Sequence, residues 1–84
     1  MPQHKSALKR VRQAERRRLR NRVRRTKMRS MIKKLRDTSN PEEATTLLAS
    51  VKSYLDRLAV KGIIHKNMAA NYKSDLDRHV NSLG

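Results

Sequence analysis

One segment of the chain carries all of its net charge. Between Lys5 and Arg36 half of the residues are Lys or Arg, and Glu15 is the only acidic residue. From Asp37 to Gly84 the basic and acidic side chains are equal in number, so the formal net charge of +15 belongs to the first segment. Solvated helix faces usually mix charges of both signs, and this pattern therefore indicates a surface that binds a polyanion.

The basic segment is predicted to form one long helix over residues 6–37, after a short tail at residues 1–5. It lacks Pro and Gly and is rich in strong helix formers, and Ser6 is a suitable N-cap. Its last third has a close apolar stripe at Met28, Met31, Ile32 and Leu35, and a sparser stripe at Leu8, Val11, Leu19 and Val23 lies roughly half a turn away around the helix. We expect that third to pack on a core and the remainder to project as an arm with basic side chains on several sides.

A second helix is predicted over residues 40–61. Asn40 is a suitable N-cap, Pro41 suits the first helical position, and Gly62 suits a left-handed residue just after the helix. The apolar face repeats with a period of 3.6 residues, at Ala44, Leu47, Leu48, Val51, Tyr54, Leu55, Leu58 and Ala59. Ile63 and Ile64 are expected to enter the core after the turn.

A third helix is predicted over residues 65–83. Its apolar face comprises Met68, Ala69, Tyr72, Leu76, Val80 and Leu83. We expect Met28, Met31 and Met68 to fill the core, and His79 to be a structural histidine with its hydrogen bonds satisfied. The sequence thus predicts a single all-α domain over residues 1–84, a three-helix bundle beyond which the basic first helix extends.

Catalysis, metal binding and membrane insertion have little support in the sequence. His4, His65 and His79 are far apart and form no metal-spaced pair, and the chain contains no Cys. With only two glycines there is no Gly-rich phosphate loop, and no apolar run approaches the ~18 residues of a membrane span. We therefore predict no enzymatic activity, no cofactor, no metal and no small-molecule substrate.

The basic helix predicts binding to the phosphate backbone of folded or duplex RNA. Arg outnumbers Lys in it, as is favoured where a guanidinium grips phosphate in two-pronged geometry. Without Phe or Trp a base-stacking platform is not expected. The candidate binding residues are Lys5, Lys9, Arg10, Arg12, Arg16, Arg17, Arg18, Arg20, Asn21, Arg22, Arg24, Arg25 and Arg29. An architectural protein that binds duplex DNA is the alternative reading.

Three stretches resemble one known family, the bacterial-type small-subunit ribosomal protein S20. The most distinctive is Lys-Gly-Ile-Ile-His-Lys-Asn-Met-Ala-Ala, from Lys61 to Ala70. The start, Lys5-Ser-Ala-Leu-Lys-Arg-Val-Arg-Gln13, and the run Arg16-Arg-Arg-Leu-Arg-Asn21 are also similar to that family. The resemblance covers essentially the whole chain.

The resemblance implies a structural constituent of the small ribosomal subunit that binds its 16S-type rRNA and stabilises the RNA fold during assembly. Neighbouring ribosomal proteins are further possible partners, and the implied location is a ribosome of the cytoplasm or of an organelle stroma. It implies RNA contacts for His65, Lys66 and Asn67, at a helix start where backbone N–H groups favour phosphate. With Lys73 we expect these residues to form a second, smaller basic patch.

Overall fold

The computed structural model describes residues 2–83, and their side chains from residue 6 onward. This part of the chain forms three α-helices, α1 (Pro2–Asp37), α2 (Pro41–Val60) and α3 (Lys66–Leu83), and contains no strand. The molecule measures 65 × 20 × 13 Å because α1 extends well beyond the other two helices. The prediction of an all-α bundle with a long protruding first helix is confirmed.

The start of α1 differs from the sequence prediction. The helix begins at Pro2, so most of the tail expected at residues 1–5 is helical, and Ser6 lies inside α1 instead of capping it. Proline is compatible with the first position of a helix, since its fixed φ suits the helix and its missing N–H would have no partner there. Residues 2–5 therefore belong to α1 and not to a separate tail.

A short polar connection joins α1 to α2. The Thr38 side chain donates a hydrogen bond of 2.7 Å to the carbonyl oxygen of Lys34 in the last turn of α1. Asn40 caps α2, because its side-chain oxygen accepts from the backbone N–H groups of Glu42 at 2.9 Å and Glu43 at 3.4 Å. Pro41 occupies the first turn as predicted. The chain thereby reverses direction within three residues.

The turn between α2 and α3 is closed by two backbone hydrogen bonds. Gly62 has φ +73°, and its N–H donates to the carbonyl of Ala59 at 3.1 Å. The N–H of Ile63 donates to the carbonyl of Leu58 at 2.9 Å, which completes a Schellman motif. The side chains of Ile63 and Ile64 are buried, so the prediction that they enter the core is confirmed.

The core is assembled from all three helices and the second turn. Lys73 pairs with Asp56 and Lys52 with Asp77, and this reversed order shows that α2 and α3 are antiparallel. The buried residues are Met28, Ile32, Leu35, Ala44, Val51, Leu55, Leu58, Ile63, Ile64, Ala69, Leu76 and Val80. Within the described side chains, nothing before Met28 belongs to this core, so the N-terminal two thirds of α1 contribute nothing to it.

Two predictions about α3 are wrong. Met68 is 45% exposed, because Ala69, which follows it by about 100° around the helix, takes the inward position in that turn. His79 is half-buried as expected, but its Nε2 atom is buried and has no hydrogen-bond partner in the described part of the chain. Met28 is buried and Met31 packs against the core, as predicted.

Candidate nucleic-acid interface

The first four turns or so of α1 whose side chains are described form a fully exposed cationic rod. Every side chain from residue 6 to residue 20 is exposed, over a length of roughly 20 Å at ~1.5 Å per residue. Helical geometry directs Lys9 and Arg16 to one side, Arg17 and Arg24 to another, and Arg18 and Arg25 to a third. The rod can therefore engage phosphates of more than one RNA strand at a time. Lys5 lies outside the residues whose side chains are described.

None of the cations of α1 forms an ion pair among the described side chains. The ion pairs among the described side chains all lie within α2 and α3: Lys52 with Asp77, Lys73 with Asp56, and Arg78 with Asp75. Glu15, the only acid between Lys5 and Arg36, forms no ion pair among these side chains. The field of α1 is thus uncompensated by the protein, and phosphate is the group that would neutralise it.

Where the arm leaves the bundle, its side chains begin to contact the rest of the protein. Asn21 and Arg24 are half-buried, whereas Arg22 and Arg29 remain exposed. The Arg25 guanidinium donates a hydrogen bond of 3.2 Å to the carbonyl oxygen of Ile63 in the second turn. Arg25 is still exposed, so its remaining N–H donors can reach a ligand.

Tyr54 of α2 supports the same section of α1. Its hydroxyl donates a hydrogen bond of 3.2 Å to the carbonyl oxygen of Arg24, which lies 30 residues earlier in the chain. The ammonium group of Lys27 lies 5.1 Å from the centre of the Tyr54 ring, within the range of a cation–π interaction. One half-buried tyrosine therefore contacts both the backbone and a side chain of α1.

The second predicted patch surrounds the start of α3. His65 is the N-cap, since its Nδ1 accepts a hydrogen bond of 3.1 Å from the backbone N–H of Asn67. An accepting Nδ1 leaves the proton of the neutral ring on Nε2, where it is available to a ligand. His65, Lys66 and Asn67 are exposed, whereas Lys73 is half-buried and its ammonium lies 2.8 Å from a carboxylate oxygen of Asp56. Lys73 is thus the one member of this patch that is engaged with another protein side chain.

The two patches adjoin each other. The contact between Arg25 and Ile63 brings the base of the arm beside the turn that leads into His65. A shallow groove of about 270 Å³ runs along the arm from this point, lined by Ala14, Arg17, Arg18, Asn21 and Arg25. The arm and the turn that leads into the second patch therefore meet at the base of the arm.

Some exposed cations were missed by the sequence reasoning. Lys27, Lys33, Lys34 and Arg36 are exposed on the part of α1 that packs on the bundle, and Lys61 is exposed in the second turn. A signal for the first four was present, because they belong to the same nearly acid-free segment.

Other kinds of site have no counterpart in this part of the chain. The described residues contain no group of three or more His, Asp or Glu side chains that could hold a metal ion. None of the helices is both long enough and apolar enough to cross a bilayer. What marks the surface is its positive charge and the length of the arm, together with attachment to α2 and α3, which carry no net charge.

Comparison with known proteins identifies the family. The family model "Ribosomal protein S20" matches residues 2–81. A small ribosomal subunit protein bS20 from Salinibacter ruber is 54% identical over 83 residues, covering 99% of each chain. Its counterpart from Christiangramia forsetii is also 54% identical over 83 residues, with 99% of this chain and 100% of the relative covered. The chain belongs to the ribosomal protein S20 family.

Proposed function

We propose that this chain is a structural protein of the small ribosomal subunit, where it binds small-subunit rRNA and stabilises the folded RNA during assembly. The observation that carries the proposal is the arm, which is exposed on all sides, almost free of acids and attached to a bundle in which residues 37–84 carry no net charge. The relatives that resemble it over their full length are named as small ribosomal subunit proteins. The implied setting is the ribosome, and the implied role is structural and not enzymatic.

The mechanism follows from the distribution of charge. Each phosphate that the arm neutralises releases condensed counterions, and this release is a large part of the binding free energy at low salt. Because cations surround the arm, several RNA segments can pack around it, which reduces the repulsion between their backbones. Specificity then comes from the shape of the folded RNA rather than from base edges, since an arm of Arg and Lys reads phosphates.

The second patch would add a separate contact. Exposed Lys66 and Asn67 and the Nε2–H of His65 offer donors to one RNA segment at the base of the arm. Neighbouring ribosomal proteins are possible further partners, for which the nearly neutral outer surface of α2 and α3 is the available part.

A competition experiment tests the proposal against binding to duplex DNA. Labelled small-subunit rRNA is bound at about 0.15 M salt and challenged with random duplex DNA or with unlabelled rRNA at equal phosphate concentration. We expect rRNA to displace the label at far lower concentration than DNA. Equal displacement by the two competitors would favour an architectural DNA-binding protein instead. Chemical footprinting of the rRNA would then locate the protected segments.

A further inference from the structure

Three neighbouring residues of α1 form what we call the latch, together with Tyr54 and Ile63. The carbonyl of Arg24 accepts from the Tyr54 hydroxyl, the Arg25 guanidinium donates to the Ile63 carbonyl, and the Lys27 ammonium lies over the Tyr54 ring. All three contacts lie on the N-terminal side of Met28, the first core residue of α1. The latch is therefore the last attachment of the arm before it leaves the bundle.

The position of the latch gives it leverage over the arm. From Arg24 to Ser6 the helix spans about 27 Å, so a tilt of about 5° at Arg24 moves the backbone at Ser6 by roughly 2 Å. A displacement of that size is enough to remove a two-pronged guanidinium–phosphate contact, which requires donor–acceptor distances of about 2.7–2.9 Å. Small changes at the latch should thus alter contacts far along the arm.

Ile63, whose carbonyl accepts the hydrogen bond from Arg25, is held rigidly in the second turn. Ile63 is fixed on three sides, because its N–H donates to Leu58, its side chain is buried and its carbonyl accepts from Arg25. The left-handed Gly62 and the buried Ile64 flank it. His65, which caps α3 and begins the second patch, follows two residues after Ile63. The latch thereby links the arm directly to the turn that holds the second patch.

We propose that Arg25 and Tyr54 are positioning residues that set the angle between the arm and the second patch, so that one folded RNA binds both at once. This inference rests on the proposed function. It identifies the residues that determine which RNA shape the protein recognises. Arg25 then acts partly through the protein, although the sequence suggested only a phosphate contact. Tyr54 acts entirely through α1, since it is half-buried and its hydroxyl is occupied by the Arg24 carbonyl.

The first test compares conservative variants that keep the net charge. Tyr54→Phe removes only the hydroxyl that holds Arg24, and Arg25→Lys keeps the charge but loses the planar fork. The controls are Tyr72→Phe, whose hydroxyl has no hydrogen-bond partner among the described residues, and Arg78→Lys, on an exposed residue of α3 outside the proposed binding set. Binding of small-subunit rRNA is titrated for each full-length protein across a range of salt concentrations, after circular dichroism confirms the helical fold.

We expect Tyr54→Phe and Arg25→Lys each to weaken rRNA binding about five- to tenfold, the range that loss of one net hydrogen bond produces. The salt dependence of the Tyr54→Phe protein should be shallower than that of the unaltered protein although no cation is removed, because a misdirected arm neutralises fewer phosphates. The two controls should bind within about twofold of the unaltered protein. If both latch variants bind as tightly as their controls, the inference is overturned.

A second test measures coupling between the arm and the second patch. Lys66→Ala is combined with Tyr54→Phe, and the rRNA affinities of the single and double variants are compared in a double-mutant cycle. A shared geometry predicts that Lys66→Ala costs less affinity once the latch hydroxyl is absent. Losses that simply multiply would show that the two surfaces bind independently, against the inference. Equal binding of rRNA and duplex DNA by the unaltered protein would refute the proposed function. The role of the latch is tested separately, by comparing the affinities of the variants for one RNA.

Discussion

Lys73 of α3 and Asp56 of α2 form an ion pair in which the ammonium nitrogen lies 2.8 Å from a carboxylate oxygen. The sequence placed Lys73 in the second basic patch, together with residues at the start of α3. In the structure its charge is partly satisfied within the protein, because the pair bridges two antiparallel helices. A cation already held by a carboxylate gains less from a phosphate than a free one does.

The first prediction concerns the unequal contributions of Lys73 and Lys66. Lys73→Ala should weaken rRNA binding less than Lys66→Ala, because the Lys73 ammonium is already held by the Asp56 carboxylate and gains less from a phosphate. The free energy of unfolding should fall by less than about 1 kcal/mol, since both partners are substantially exposed. Filter binding and urea denaturation measure the two effects. Asp56→Asn serves as the control for loss of the ion pair, and an equal loss of affinity for both lysine variants would contradict the prediction.

The second prediction concerns the single acid in the basic segment. Glu15→Gln should strengthen rRNA binding roughly two- to threefold at about 0.1 M salt, where charges interact over about 10 Å. Gln13→Glu, a change of opposite sign two residues earlier on the same exposed rod, should weaken binding by a similar factor. Both shifts should shrink as salt is raised. Titrations at three salt concentrations are sufficient, and a Gln13→Glu protein that binds as tightly as Glu15→Gln would argue against contact with this part of the arm.

The third prediction concerns the left-handed backbone conformation of Gly62. An added Cβ would meet nothing within 4 Å, so the cost of Gly62→Ala comes from its φ of +73° and not from a clash. The variant should lose about 1–2 kcal/mol in the free energy of unfolding. Gly62→Asn should lose less, because Asn tolerates the left-handed region. Urea denaturation gives both values, and an alanine variant as stable as the unaltered protein would show that the turn adopts another conformation.

The fourth prediction concerns the dynamics of the arm without RNA. Residues 6–20 make no contribution to the core, and like charges at i,i+4 spacing repel each other. Their amides should exchange rapidly with solvent, whereas those in the middle of α2 and α3 should be protected. Hydrogen exchange read by NMR resolves the difference residue by residue, and addition of rRNA should slow exchange along the arm. Uniform protection of α1 in the free protein would speak against this division.

Local chemistry explains what the sequence predicted correctly. Three features depend only on residues within one or two turns of each other and can therefore be predicted from the sequence: the Asn40 cap, the left-handed Gly62 and the apolar periods of α2 and α3. The protruding arm was predictable because its apolar residues are too sparse to pack on a core. The binding residues themselves remain predictions; those whose side chains are described are exposed or half-buried.

Tertiary geometry explains what the sequence did not predict. Met68 and Ala69 are neighbours on a helix, and which of them faces inward depends on how α3 is oriented against its partners. The bonds from Arg25 to Ile63 and from Tyr54 to Arg24 span 38 and 30 residues, and periodicity carries no information about them. His79 was expected to be satisfied, yet its Nε2 has no partner in the described part of the chain, which depends on side-chain placement alone.

Among the described side chains, none before Met28 belongs to the core. The arm and the bundle are therefore under different evolutionary constraints. Substitutions in the projecting part of α1 do not affect the folding of the bundle. That part can therefore change together with the surface of the partner that it contacts. Substitutions at the core positions of the bundle are constrained mainly by folding, provided that the base of the arm keeps its direction. Grafting the arm of a relative onto this bundle should accordingly give a folded chimera with the donor's preference for RNA.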